Sequence, residues 1–351
     1  MMLTQEELKQ YNRHVILDEI GESGQIKLKT AKVLVVGAGG LGCPILQYLT
    51  AAGVGTIGVI DDDVVDQTNL QRQILYTVDD IGKPKVEVAV NRLSKLNPFV
   101  EFKVFVEKLS IQNVIDIFKD FDIIVDGSDN FQTRYLCNDA AVIANKPLVY
   151  GSIFKFEGQV SVFNFNSSAT YRCLYPTPPK LNESPNCSEI GVMGVLPGII
   201  GSLQANEVIK IICGIGDVLA NKLLVFDVLS MRQLTLDYSK TENSSITKLE
   251  TNYDFFCGIE SIDNDITLAA LNQNKSTFNL LDVREHWERQ QYHIGGLHIP
   301  LAQLPTRYHE INTEKPLVVY CKSGVRSKKA ISFLKDVLSK KSNLINLKNG
   351  L

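Results

Sequence analysis

Lys32-Val33-Leu34-Val35-Val36-Gly37-Ala38-Gly39-Gly40-Leu41-Gly42 decides the fold of this chain. From Val33 its first half is an unbroken apolar run, the pattern of a strand buried on both faces. The run passes straight into GxGxxG, formed by Gly37, Gly39 and Gly42 with Gly40 inside, and an apolar helical pattern follows through about Ala52. Glycines permit a tight turn and close approach to phosphate, and a helix N-terminus offers free N–H groups and partial positive charge. Taken alone, this signature ordinarily means NAD or FAD. The next apolar strand, Thr56 to Ile60, ends in Asp61, Asp62 and Asp63. Asp61 falls about twenty residues past the last glycine, where an acid accepts hydrogen bonds from ribose hydroxyls.

Further strands and helices alternate outward from this unit. Thr4 to Lys29 reads as a helical arm, Pro84 to Leu96 as a helix, Phe121 to Asp126 as a strand and Asn130 to Asn145 as a helix. Such alternation predicts a doubly wound, Rossmann-like, mostly parallel α/β sheet. Phe154 to Phe165 alternates like an antiparallel strand, Val195 to Cys213 is a long apolar helix, and strands follow near Leu223 to Val228 and Gln233 to Tyr238, an antiparallel extension. Asn164 to Ser188 lacks periodicity and reads as a long exposed loop. Ser239 to Thr247 is polar and reads as a linker, so the expected division is residues 1–240, a linker at 241–261, and a small α/β domain at 262–351.

Bulk composition narrows the class. The chain has 351 residues, 44% hydrophobic and 21% charged, with a formal net charge of -3. That is enough for two globular cores and speaks against a nucleic-acid binder, which is usually basic. The polar start lacks the apolar core of a signal peptide, and no run approaches the 18 to 20 apolar residues of a membrane span. Seven cysteines without an export signal are expected to be reduced in the cytoplasm.

The residues after Asp61 and Asp63 shift the reading from dinucleotide to ATP. Thr68-Asn69-Leu70-Gln71-Arg72 brings amide and guanidinium groups past the acidic strand end, and Lys85 opens a helix. A triphosphate needs such cations to offset its charge and steady a departing pyrophosphate. Singly, Arg72 and Lys85 would pass for solvated surface charges. Asp126-Gly127-Ser128-Asp129-Asn130 closes a third strand at the same sheet edge. Asp129 can hold Mg²⁺ or position a carboxylate, and it can also serve as an N-cap.

YNRHVILDEIGESGQIKL (from Tyr11), VLVVGAGGLGCPILQYLTAAGVGTIGVIDDD (from Val33), NLQRQILY (from Asn69) and GSDN (from Gly127) together resemble the ThiF/MoeB/HesA family of ubiquitin-activating-like adenylyltransferases. The resemblance covers about Leu8 to Tyr238. It implies a homodimer that binds ATP and Mg²⁺ and adenylates the C-terminal glycine of a small ubiquitin-like sulfur carrier ending in Gly-Gly. It assigns Arg13 to the partner subunit's site, Asp61 to the ribose, Asn69, Arg72 and Lys85 to the phosphates, and Asp129 to the metal and α-phosphate. The rival readings are an NAD/FAD oxidoreductase and a non-catalytic scaffold.

The resemblance also bears on cysteines. Cys187, at the end of the long loop, matches a position where family members form a thioester or acyl disulfide, and a spectator thiol is the competing reading. The family often carries zinc on two CxxC pairs. Here those positions read Thr170-Tyr171-Arg172-Cys173 and Asp254-Phe255-Phe256-Cys257, so two of four thiolates are missing and no zinc is expected. Phe255 and Phe256 are expected to replace it by packing. Cys43, Cys137 and Cys213 lie in apolar helical patterns and are expected in the core.

Beyond the linker, strands are expected at Phe278 to Asp282 and Pro316 to Tyr320. The second strand runs into Cys321-Lys322-Ser323-Gly324-Val325-Arg326-Ser327 and a helix. Such a loop aims N–H groups at the sulfur, Lys322 and Arg326 add positive charge, and a thiolate or persulfide is stabilised. This stretch resembles a rhodanese-like sulfurtransferase domain, with Cys321 in the persulfide position and Asp282 and Arg284 in structural ones. A phosphatase-like loop is the alternative, disfavoured by the loop's shortness. In the rhodanese-like family a final helix usually follows the position of Leu351. Together the resemblances imply adenylation of the carrier, then sulfur transfer from Cys321, directly or through Cys187, to give a thiocarboxylate. A cysteine desulfurase is the implied persulfide donor. The molybdopterin-synthase carrier is the favoured substrate, with the thiamine and cysteine-biosynthesis carriers as alternatives.

Overall fold

The computed structural model describes residues 2–179, 191–257, 265–338 and 343–351. Cys187 lies outside them. The chain divides into two compact units, Met1–Ile259 and Glu260–Leu351.

The first unit is built on eight strands: β1 (Lys32–Val36), β2 (Thr56–Ile60), β3 (Glu101–Phe105), β4 (Ile123–Asp126), β5 (Leu148–Phe154), β6 (Glu157–Phe163), β7 (Lys222–Asp227) and β8 (Arg232–Asp237). They lie in the order β3-β2-β1-β4-β5-β6-β7-β8. The first five are parallel and the last three antiparallel. Alternation along β1 shows why the apolar runs carry no polar face. Val33 and Val35 enter one core with Ile45, Leu46 and Leu49 of helix Gly42–Ala52, while Leu34 and Val36 enter another with Phe118, Tyr135 and Leu136. Both faces are covered by helices, as a parallel sheet requires.

Three features depart from the sequence reading. β3 and helix Val114–Lys119 were not anticipated: β3 (EFKVF) is an edge strand whose charged residues break the apolar run. Part of the expected exposed loop is core, since Ser168, Ala169, Thr170 and Tyr171 are buried and Tyr171 packs with Tyr135, Tyr150 and Phe163. The expected linker is also partly structured. Helix Tyr253–Phe256 carries Tyr253 and Cys257 into the core beside helix Phe131–Ile143.

The second unit has five parallel strands in the order β11-β10-β12-β13-β9: β9 (Asp265–Ile266), β10 (Asn279–Asp282), β11 (Leu297–His298), β12 (Leu317–Tyr320) and β13 (Leu344–Leu347). Leu281, Val319 and Ile331 pack on one face, and Leu280, Val318 and Leu347 on the other. Among the described residues no helix is long and apolar enough to cross a membrane.

Candidate functional site

In the order β3-β2-β1-β4-β5 the direction of strand progression reverses between β1 and β4. Ligands bind outside the carboxyl ends of strands at such a reversal. Gly37 leaves β1 at φ +91, in the left-handed region, and a Cβ there would stand 2.9 Å from the Gly127 carbonyl oxygen. A Cβ on Gly42 would collide with the Gly37 carbonyl. The glycine loop therefore lies against the end of β4 with no room for side chains at these two points.

Asp61 fastens this loop. Its carboxylate accepts the Ala38 N–H at 2.7 Å and the Asp63 N–H at 2.8 Å. Burial pushes its pKa up against the lowering effects of the Lys85 charge and those two N–H groups. Lys85 is itself buried, and its Nζ donates to Asp63 at 2.8 Å. The Asp63 side chain is 69% exposed, so an incoming anion can compete for the ammonium.

A cavity of about 720 Å³ opens here. Gly37, Gly39, Gly40, Asp61, Asp63, Thr68, Gln71, Arg72, Lys85, Asp129 and Asn130 line it, which gathers most of the residues singled out in the sequence. Gly42, Asn69, Leu70 and Arg13 are not on its wall. Asn69 Oδ1 accepts the Asp66 N–H in a cap, Leu70 packs on the core, and Arg13 is exposed on helix Asn12–Val15. The cap of helix Phe131–Ile143 is Asn130, whose Oδ1 accepts the Thr133 N–H at 2.9 Å. The Asp129 carboxylate is thus left exposed on the wall. Thr133, Arg134 and Ile153 also line the cavity and escaped the sequence reading. Thr133 and Arg134 sit three and four places after Asn130, so helical spacing beyond the motif was the available signal.

Asp126, fully buried, shapes the strap between β4 and Asp129. Its Oδ1 accepts from the Ser128 N–H at 2.9 Å and the Ser128 hydroxyl at 2.6 Å. Gln204 donates to the Asp126 backbone carbonyl at 2.7 Å, tying helix Leu196–Cys213 to the strap.

Cys43, Cys137 and Cys213 are buried, as expected. The side chains at the positions of the family's zinc do not make a four-thiolate site. Cys173 Sγ accepts N–H groups from Thr170 and Thr241, both at 3.4 Å. Burial raises its pKa, but these bonds outweigh it and the net effect is a lowering. Burial, assisted by Asp254, pushes the Cys257 thiol up to about 12, which keeps it protonated at neutral pH.

In the second unit Cys321 follows β12 and is buried. Its sulfur accepts the Gly324 N–H at 3.1 Å and the Ser327 N–H at 3.4 Å, and the Ser327 hydroxyl lies 3.4 Å away. Gly324, at φ +86, turns the loop so that these groups converge. Arg326 does not present an unopposed charge, because both its Nη atoms donate to Glu288 at 2.6 and 2.7 Å. Arg284 forks onto Asp282 at 2.9 and 2.8 Å, and its backbone carbonyl lies 2.8 Å from His298 Nε2, binding the end of β10 to β11.

Residues 11–247 match the model of the ThiF family, and residues 265–351 match that of the rhodanese-like domain. A Mycobacterium tuberculosis protein named probable adenylyltransferase/sulfurtransferase MoeZ is 41% identical over 374 residues, spanning 99% of this chain and 93% of that protein. The sulfur carrier protein adenylyltransferase of Thermus thermophilus is 48% identical over 270 residues, spanning 74% of this chain and 100% of that protein. Among solved structures, that of E. coli MccB with ATP matches with a TM-score of 0.55 at 26% identity, covering 64% of this chain and 68% of that one. The chain belongs to the ThiF family, as an adenylyltransferase joined to a rhodanese-like sulfurtransferase domain.

Proposed function

We propose that the cavity at Gly37 binds ATP and adenylates the C-terminal glycine of a small ubiquitin-like sulfur carrier, and that Cys321 supplies the sulfur. The observation that carries this reading is the convergence of the glycine loop, Lys85, Arg72 and the uncapped Asp129 carboxylate around one cavity. In the proposed step a carboxylate oxygen of the carrier attacks the α-phosphorus. The bond to the bridging oxygen breaks, and pyrophosphate leaves with the electron pair. Lys85, released from Asp63, and Arg72 offset the phosphate charge, and Asp61 takes the ribose hydroxyls. Asp129 would hold Mg²⁺ through a hard carboxylate oxygen, and the ion would supply charge neutralisation for the phosphates.

The terminal sulfur of a Cys321 persulfide then attacks the acyl carbon and AMP departs, leaving an acyl disulfide. Attack by the Cys187 thiolate on the Cys321 sulfur releases the thiocarboxylate and leaves a disulfide, which a dithiol reduces. The persulfide comes from a protein donor of the cysteine desulfurase class. Arg13 serves the partner subunit of a homodimer; exposed Ile16 and Leu17 beside it suit a surface covered by a second copy. No zinc takes part. Molybdopterin cofactor biosynthesis is the favoured pathway, supported by 37% identity to a Porphyra purpurea protein named probable molybdopterin-synthase adenylyltransferase.

ATP–pyrophosphate exchange with purified Gly-Gly-ending carriers tests the first step. Exchange with the molybdopterin-synthase carrier is the expected result, and exchange with the thiamine carrier alone would move the pathway. Absence of exchange with every such carrier would sink the proposal.

A further inference from the structure

The positions at which family members carry zinc hold a different fastening in this chain. Arg172 lies one residue before Cys173, on the short helix Tyr171–Leu174. Its Nε and Nη2 donate to the two oxygens of Asp139 at 2.8 and 2.6 Å, and Nη2 also donates to Glu250 at 3.1 Å. The guanidinium carbon stands 4.4 Å from the centre of the Phe256 ring and 5.3 Å from that of Tyr135. Asp139, on helix Phe131–Ile143, also accepts the Tyr253 hydroxyl at 2.6 Å and the Asn138 amide at 2.9 Å. One planar cation thus joins three stretches far apart in sequence: helix Phe131–Ile143, helix Tyr171–Leu174 and residues 250–256. The same stretches bracket Thr170, Cys173, Asp254 and Cys257.

We propose that Arg172 is the staple that holds residues 241–257 onto the rest of the first unit, in the role that the zinc-bearing family members give to the metal. An arginine suits this work because it forks onto a carboxylate, donates to a second acid and stacks on an aromatic face at once. The Asp139 side chain is 1% exposed, and its charge is matched by hydrogen bonds from three residues, so the burial of the pair leaves neither partner orphaned. The chain therefore keeps this segment closed without a metal, and its closure depends on the guanidinium fork.

The test uses the full chain. Metal analysis of protein purified without chelator is expected to find less than about one zinc in ten chains, and EDTA is expected to leave Tm unchanged. Arg172→Lys keeps the charge and loses the fork and the stack. It is expected to speed limited proteolysis within residues 241–257 by about tenfold or more, with other sites changing less than about twofold. Tyr253→Phe, which removes a single hydrogen bond to Asp139, guards against a variant that does not fold and is expected to give a smaller increase at the same sites. Stoichiometric zinc, a fall in Tm with EDTA, or unchanged cleavage of that segment in both variants would overturn the proposal. The ATP–pyrophosphate exchange reading stands or falls separately, since these measurements do not involve turnover.

Discussion

Lys85 is a buried ammonium whose partner, Asp63, is mostly in solvent, so its charge stands ready for a stronger anion. Lys85→Ala is expected to reduce kcat/KM for carrier-dependent ATP–pyrophosphate exchange by about 10² to 10³, the size of loss seen when one preorganised charge-stabilising group is removed. A loss under tenfold would remove Lys85 from the phosphate site. Gly37 is constrained in a different way. Gly37→Ala places a methyl at φ +91 and 2.9 Å from the Gly127 carbonyl, so strain and displacement act together. Thermal denaturation is expected to show a loss of about 1 to 3 kcal/mol, accompanied by weaker ATP binding.

At the scale of elements, caps and pairs set where helices begin and what they expose. Asn130→Ala is expected to cost about 1 kcal/mol, the usual loss for an N-cap, in chemical denaturation. In the second unit Glu288 couples helix His286–Gln291 to the first turn of helix Val325–Val337 through Arg326. The Arg326 bonds, outweighing burial, hold the Glu288 carboxyl down at about 2 from an ordinary 4.5. A carboxyl whose pKa is lowered by folding adds stability above its unfolded value and loses it as pH falls through the folded one. The Glu288 contribution should therefore be complete above about pH 4.5 and fade towards pH 2. Denaturation of Glu288→Gln should show a flatter stability profile across that window, and an unchanged slope would contradict the pairing.

The whole molecule carries two units, each with its own sheet and its own core. Separable chemistry follows. Cys321→Ala is expected to abolish sulfur loading, read as thiocyanate formed from a sulfur donor and cyanide, while exchange of ATP with pyrophosphate stays within about twofold of the parent. If the proposed homodimer forms, Arg13→Ala is expected to lose exchange alone and to regain part of it when mixed with Lys85→Ala, because a mixed dimer would rebuild one complete site. Failure of the mixture to recover any activity would place Arg13 outside the partner's site.

Much of this is legible in the sequence alone. Runs such as KVLVV and TIGVI can be satisfied only by burial on both faces, so β1 and β2 followed from local chemistry, and the glycines between them fixed the turn. Motif spacing brought Asp61, Arg72, Lys85 and Asp129 to one sheet edge, since every parallel strand delivers its carboxyl end to the same side. The remainder needed the tertiary fold. β3 and residues 241–257 carry too many polar groups to announce their place in the fold, and their partners lie far away in sequence: Glu101 registers with Thr56, and Tyr253 reaches Asp139. Whether Asp129 or Asn130 caps the helix, and whether Arg326 faces sulfur as a free charge or as half of a pair with Glu288, depends on distances of a few ångströms between elements. The sequence by itself determined the elements and the class of chemistry, because these follow from periodicity and residue type. Only the tertiary structure decided which polar groups are occupied by one another and which remain free to meet a ligand, because hydrogen bonds and ion pairs are settled by geometry across the chain.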